Sequence, residues 1–294
     1  MMYFMKNRHI RDNIAFLIVS FCFFNVDPAL AVEEKPTYET RNFIEPLSLS
    51  RGTFFATDQY AGYFDHADSC TVLVEEMAWN RSECDYIENV ILSPVPGVNS
   101  VIIDKPNSEG HVELEDWDSP HLKDSIDEIW SSMEDAVKDQ SKRLNQKIEA
   151  VKWVTYPTLD KENSILYYAI LLNWDGNEVV NIKASLFDRK GYVAFRIIPE
   201  DSTASGSSLA HLVTDVTRLY APKKIETYAS FTAGDKVAAG GALGVLATLV
   251  GVKYGKAAGL GVMAIILAFL KKAWILLLGP IVFLKKFFSR KNKE

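Results

Sequence analysis

The stretch Ser164-Ile165-Leu166-Tyr167-Tyr168-Ala169-Ile170-Leu171-Leu172-Asn173-Trp174, with Asp175-Gly176-Asn177 and then Val179-Val180-Asn181-Ile182-Lys183-Ala184-Ser185-Leu186-Phe187 behind it, decides the fold. Its first run is apolar on both alternating faces, the pattern of a central strand covered on two sides. The second run alternates: Val180, Ile182, Ala184 and Leu186 face inward, and Asn181, Lys183 and Ser185 outward. The Asp-Gly pair turns one strand into the next. Asp188-Arg189-Lys190-Gly191 then returns the chain into a third strand over residues 192–198. Residues 164–198 therefore predict an antiparallel meander.

Working outward, the spacing of Leu122, Ile126, Ile129, Met133 and Val137 stacks them on one face of a long helix. Leu209, Leu212, Val216 and Leu219 define a second amphipathic helix, ended before Pro222. Asp65 with Asp68 three residues later forms an N-terminal cap pattern for a third, through Ala67, Cys70, Leu73 and Met77, with its end near Asn80. Residues 53–60 and 90–93 read as strands. Residues 98–104 with 111–115 read as a hairpin around Lys105-Pro106-Asn107-Ser108-Glu109-Gly110, and a strand from Ile148 stops at Tyr156-Pro157. Helices set apart from an antiparallel sheet predict an α+β domain.

The two ends of the chain give its topology. Lys6, Arg8 and Arg11, the apolar run 14–24, and Ala29-Leu30-Ala31 before Val32-Glu33-Glu34 make residues 1–31 a signal peptide, cut between Ala31 and Val32. An uncleaved anchor is the alternative, although the apolar run is about half the ~20 residues of a membrane crossing. Residues 32–46 are polar and read as a tether, and residues 47–231 as the extracytoplasmic domain. Residues 232–284 read as membrane-anchoring apolar helices, and from Val237 to Leu284 they are interrupted by Lys253, Lys256, Lys271 and Lys272 into pieces of about 16, 14 and 12 residues. A crossing must therefore take in a lysine near one edge. Residues 285–294 hold Lys285, Lys286, Arg290, Lys291 and Lys293 as a basic tail that the positive-inside rule assigns to the cytoplasm, which favours one crossing over a hairpin. Gly240, Gly244, Gly251, Gly255 and Gly259 either give one helix a smooth packing face or fill an apolar helix.

An acidic body, net -6 over 294 residues, with a basic tail excludes nucleic acid as a partner and favours an anionic lipid bilayer. Cys22 leaves with the signal, so the exported protein keeps Cys70 and Cys84, which either form a bridge in an oxidising space or remain one buried and one exposed thiol. His66, His111, His121 and His211 are isolated and match no metal or cofactor motif. Gly251-Val252-Lys253-Tyr254-Gly255-Lys256 is one residue too short for a phosphate loop.

Asp235-Lys236-Val237-Ala238-Ala239 with Gly-rich apolar sequence and Lys-Lys pairs after it, and upstream Trp79-Asn80, Trp153, Tyr156-Pro157, Asp160, Asn181, Arg189 and Gly191, stand in a recognisable order. In these residues the chain resembles the uncharacterised bacterial membrane-anchored proteins of domain-of-unknown-function family 2167. The resemblance implies an anchor in a Gram-negative-type inner membrane with the domain in the periplasm, and no activity.

Two functions follow as expectations. The first is a non-catalytic envelope protein that binds an envelope protein or itself, the latter through the glycine face. The second is a periplasmic, hydrolase-like enzyme, which requires a deep pocket gathering several of Asp58, Asp65, His66, His111 and Arg189. A channel or transporter is a third, less favoured reading, because the apolar pieces are too few to enclose a path.

Overall fold

The computed structural model of the chain describes residues 38–252 apart from 76–78, 80 and 202–205. The expected signal peptide with its expected Ala31/Val32 cut site, Gly255, Gly259 and the basic tail lie outside the described residues. Eleven strands run β1 (Arg41–Asn42), β2 (Leu47–Ser48), β3 (Gly52–Phe54), β4 (Gly62–Phe64), β5 (Ile87–Leu92), β6 (Val98–Asp104), β7 (Ile148–Asp160), β8 (Ile165–Trp174), β9 (Asn177–Asp188), β10 (Gly191–Pro199) and β11 (Tyr220–Pro222) among the described residues. The helices are α1 (His66–Glu75), α2 (Leu122–Leu144), α3 (Gly206–Arg218) and α4 (Gly241–Val250).

The result is an α+β fold around an eight-stranded antiparallel sheet in the order β1-β4-β5-β6-β10-β9-β8-β7, with a three-stranded sheet β11-β3-β2 beside it. The predicted meander is β8-β9-β10. Asp175 and Gly176 join β8 to β9 with φ of 51° and 89°, the two left-handed positions of a two-residue hairpin loop, which Asp-Gly fills at least cost. α2 buries Ile126, Ile129 and Met133, as its spacing predicts, and Asp65 caps α1 by accepting from the Asp68 N–H at 3.0 Å.

Four expectations change. β6 does not pair with residues 111–115; it pairs with β5 and β10, and His111 instead makes a single bridge to Val237. β7 runs through Pro157 to Asp160, because as the edge strand of the described sheet it can bulge there and leave the proline outside the ladder. The face of β9 predicted to meet water is covered too: Ser185 is fully buried and Lys183 half-buried.

The fourth change concerns residues 232–252, read above as the start of the membrane-anchoring stretch. They pack on the body. α4 buries Ala242, Leu243, Val245, Leu246, Ala247 and Leu249 in one core with α2 and the sheet. Asp116 holds its start, accepting from Ala242 N at 3.2 Å and Leu243 N at 2.8 Å; at Gly241, with φ of 56°, a side chain would strike that carboxylate. His111 N donates to Lys236 O, Ala238 N donates to His111 O, and Tyr228 Oη donates to Val112 O. Gly240, Gly244 and Gly251 therefore do not lie within one helix. Gly240 precedes α4, Gly244 lies on it with open space over its Cα, and Gly251 ends it in a left-handed conformation.

Candidate functional site

Because side chains alternate along strands, the large sheet has two faces of different character. One is sealed. Val101 and Ile103 of β6, Ala169 and Leu171 of β8, Val180, Ile182 and Ala184 of β9, and Val193, Phe195 and Ile197 of β10 pack against Leu209, Val213 and Val216 of α3 and Phe54 of the small sheet. The other face is covered in two separate parts: α2 and α4 lie over the β7–β10 end, and α1 lies over β4, β5 and β6.

Between those two covers the sheet is open, as a cleft of about 470 Å³. Its floor is Asp104 from β6, Tyr192, Ala194 and Arg196 from β10 and Lys183 from β9. Its walls are Tyr86, the loop Lys105-Pro106-Asn107-Ser108, and Thr248 and Leu249 in the last turn of α4. Lys183 and Arg196 stand directly opposite each other in the β9–β10 register, so two cations face the same space from neighbouring strands. Like charges in that position oppose folding.

Local partners hold each group. Arg196 pairs two-fold with Asp104, Nε to Oδ1 at 3.0 Å and Nη2 to Oδ2 at 3.2 Å, and its guanidinium lies 4.8 Å from the centre of the Trp79 ring. Lys183 Nζ donates to the Leu249 carbonyl. Burial, and then the Arg196 charge, lower the Lys183 ammonium to a pKa of about 8. Burial raises Asp104 despite Arg196, and pushes the Tyr192 phenol up to about 12. Tyr168, in register with Lys183 from β8, is fully buried with an unpartnered hydroxyl, and Ser185 on the same face likewise has no partner for its Oγ.

The residues singled out from the sequence lie elsewhere. Asp65 caps α1 and binds Arg41 at 2.8 Å, His66 begins α1, and Asp58 sits in the loop before β4. Arg189 pairs two-fold with Asp235 at 2.8 Å, and His111 stacks between Tyr228 and Phe231 with ring centres 4.3 and 4.1 Å away. None of the five groups from which the hydrolase-like expectation draws lines the cleft. Cys70 on α1 and Cys84 in the 3-10 turn Arg81–Tyr86 are joined by a disulfide with Cα atoms 5.3 Å apart. Among the described residues no group of three or more His, Cys, Asp or Glu side chains converges as a metal site.

Asp104, Lys183 and Arg196 were not candidates from the sequence, where Lys183 reads as an ordinary outward residue. The available signal is a charge on each of three strands, with apolar Ile102 beside Asp104 and apolar Ala194 beside Arg196 on the same face, while Lys183 lies between polar Asn181 and Ser185 and gives none. Seeing it as one site needs the long-range β6–β10 register.

The whole-chain comparison agrees with the resemblance. The family model for the protein of unknown function DUF2167 matches residues 46–282. The chain belongs to this DUF2167 family. No curated protein and no solved structure matches it. Two residues that carry the resemblance now have physical roles: Arg189 ties the β9–β10 turn to the segment leading into α4, and Trp79 flanks Arg196 at the cleft. The DUF2167 match runs through α4 and on to residue 282.

Proposed function

We propose that this DUF2167 protein is a membrane-anchored envelope protein whose exported domain binds a small anionic ligand in the cleft between α1 and α4. The observation that carries this reading is the Lys183–Arg196 pair on the cleft floor. Among the lining residues Lys105, Lys183 and Arg196 are basic and Asp104 is acidic, in a chain whose net charge is -6. An anion bridging the two floor cations would relieve their repulsion and accept from donors that are already half desolvated. The cleft volume is in the range of small-molecule sites.

Export rests on the signal peptide and anchoring on the apolar C-terminal sequence. No helix of the described residues is long and apolar enough to cross a membrane. With α4 in the core, the apolar sequence beyond it is 253–284, which is 284 − 252 = 32 residues. One crossing takes about 20 residues and a hairpin about 40, so the length favours one crossing with the basic tail inside. Alkaline phosphatase fused after Glu294 should be inactive; activity there would exclude a single crossing.

Ligand binding is tested by thermal unfolding of the full chain with inorganic phosphate, acetate or pyruvate. At ten times Kd a bound anion stabilises by about 1.4 kcal/mol. Arg196→Gln should lose that response and keep its fold. Equal responses in both proteins would refute the cleft as the anion site.

A further inference from the structure

Resting on that reading, we propose that Lys183 binds its ligand covalently, as a reversible imine with a 2-oxo acid whose carboxylate is held by Arg196. A lysine becomes a carbonyl nucleophile when it is desolvated or stands beside another cation, because both conditions favour the free amine. Lys183 meets both. It is half-buried at the cleft floor, and Arg196 faces it in register from the next strand. The acidic side chain of the lining, Asp104, is hydrogen-bonded to Arg196; its charge favours the Lys183 ammonium but counts for less than burial and Arg196, which oppose it.

The groups around Lys183 come from every packed element: Arg196 on β10, Asp104 on β6, Tyr168 on β8, the Leu249 carbonyl on α4, and the charge of Glu83 in the turn before β5. Burial first, and then the Arg196 charge, outweigh Asp104 and Glu83, which act the other way, and lower the ammonium to about 8. Asp104 occupies the Nε–Nη2 edge of Arg196 and leaves Nη1 out of the pair, so a carboxylate has a donor to approach. A carboxylate bound there would bring the adjacent ketone carbon toward the lysine on the neighbouring strand, about 5 Å away across a sheet. The Leu249 carbonyl hydrogen-bonds the waiting amine and would be released as the bond forms.

The chemistry is balanced without an oxidant or reductant. The Nζ lone pair attacks the ketone carbon, and the carbonyl π electrons move to oxygen, which takes up a proton. The carbinolamine then loses that oxygen as water together with the remaining amine proton. Amine plus ketone gives imine plus water, and hydrolysis reverses it.

The test uses the full chain with pyruvate and borohydride at pH 8, followed by peptide mass mapping. Borohydride delivers hydride to the imine carbon and fixes the adduct. Labelling should concentrate on the Lys183 peptide, about tenfold above any exposed lysine; this discounts the larger ratio that a pKa of about 8 against 10.5 gives in free amine. The labelling rate at Lys183 should level off above about pH 8 while that of surface lysines continues to climb. Lys183→Arg, which removes the primary amine and keeps the charge, should lose the specific adduct; an adduct that persists in this variant would overturn the assignment to Lys183. Labelling spread evenly over the lysines, with stabilisation by anions intact, would overturn the covalent step and leave the binding site standing. Absence of both would overturn the two together.

Discussion

The two faces of the large sheet are built from the same strands and behave differently. On the sealed face, α3 and the small sheet cover an unbroken apolar surface in which Phe195, Val216 and Leu209 have no exposure. On the other face the cover is split, and the gap between α1 and α4 holds Asp104, Lys183 and Arg196 together with the unpartnered hydroxyls of Tyr168 and Ser185 nearby. The lesson is a division of labour. One face supplies free energy through area removed from water, and the other spends part of it holding polar groups where a ligand can use them.

Breaking the sealed face should have the largest effect. Phe195 sits at the centre of β10 with Tyr220 at 5.5 Å, and Phe195→Ala would leave a cavity in a core with no solvent to fill it. Chemical denaturation should show a loss of about 3–5 kcal/mol. A loss below about 1 kcal/mol would mean that this face is not the stabilising one.

The second effect lies on the split face. Cys70–Cys84 ties α1 to the turn that enters β5, and so holds the smaller of the two covers in place. Cys70→Ser with Cys84→Ser should cost about 3 kcal/mol, the value for a loop of about 15 residues. Because Tyr86 at the cleft wall follows that turn, the double variant should also weaken anion binding, whereas Phe195→Ala should leave it unchanged at temperatures where the protein stays folded. Equal binding in wild type and the serine variant, read by titration calorimetry, would separate the bridge from the cleft.

The third effect concerns α4. Asp116→Ala removes the carboxylate that caps it, at a cost of about 1 kcal/mol. If α4 were instead part of a membrane anchor, unfolding of the domain would not register the change.

α4 also shows where sequence reading runs out. Gly241-Ala242-Leu243-Gly244-Val245-Leu246-Ala247-Thr248-Leu249-Val250 looks the same facing lipid or a protein core, and its ten residues fit a core helix better than a crossing. The longer apolar context pulled it into the anchor. What decides its place is Asp116, 126 residues away, and no local pattern reports that contact. By contrast the meander was legible because it is local: alternation set each strand, and Asp-Gly set the first hairpin. The α2 stripe and the Asp65 cap were legible for the same reason. The site was not, because it needs β6 beside β10 across 92 residues, as in the Asp104–Arg196 pair.

The smallest effect has the opposite sign and is the sharpest test of the contrast between the faces. Lys183→Met replaces a half-desolvated ammonium by an apolar side chain of similar length. The folded pKa of about 8 lies below the unfolded 10.5, so between these values the unfolded chain binds more protons. Stability from this group therefore rises as pH climbs through that window, and its full penalty is felt below about 8. The shift sets an upper limit of about 3 kcal/mol on that penalty. Losing the donor to Leu249 returns about 1 kcal/mol, and water at the cleft mouth reduces the rest, so the net gain at pH 7 should be about 1 kcal/mol. Denaturation midpoints at pH 7 and pH 10 should thus differ less from each other in the variant than in the wild type, with phosphate stabilisation weakened. A variant that loses stability at both pH values would show that Lys183 supports the fold like the residues of the sealed face, and would remove the reason for treating the cleft as a place where stability is given up for binding.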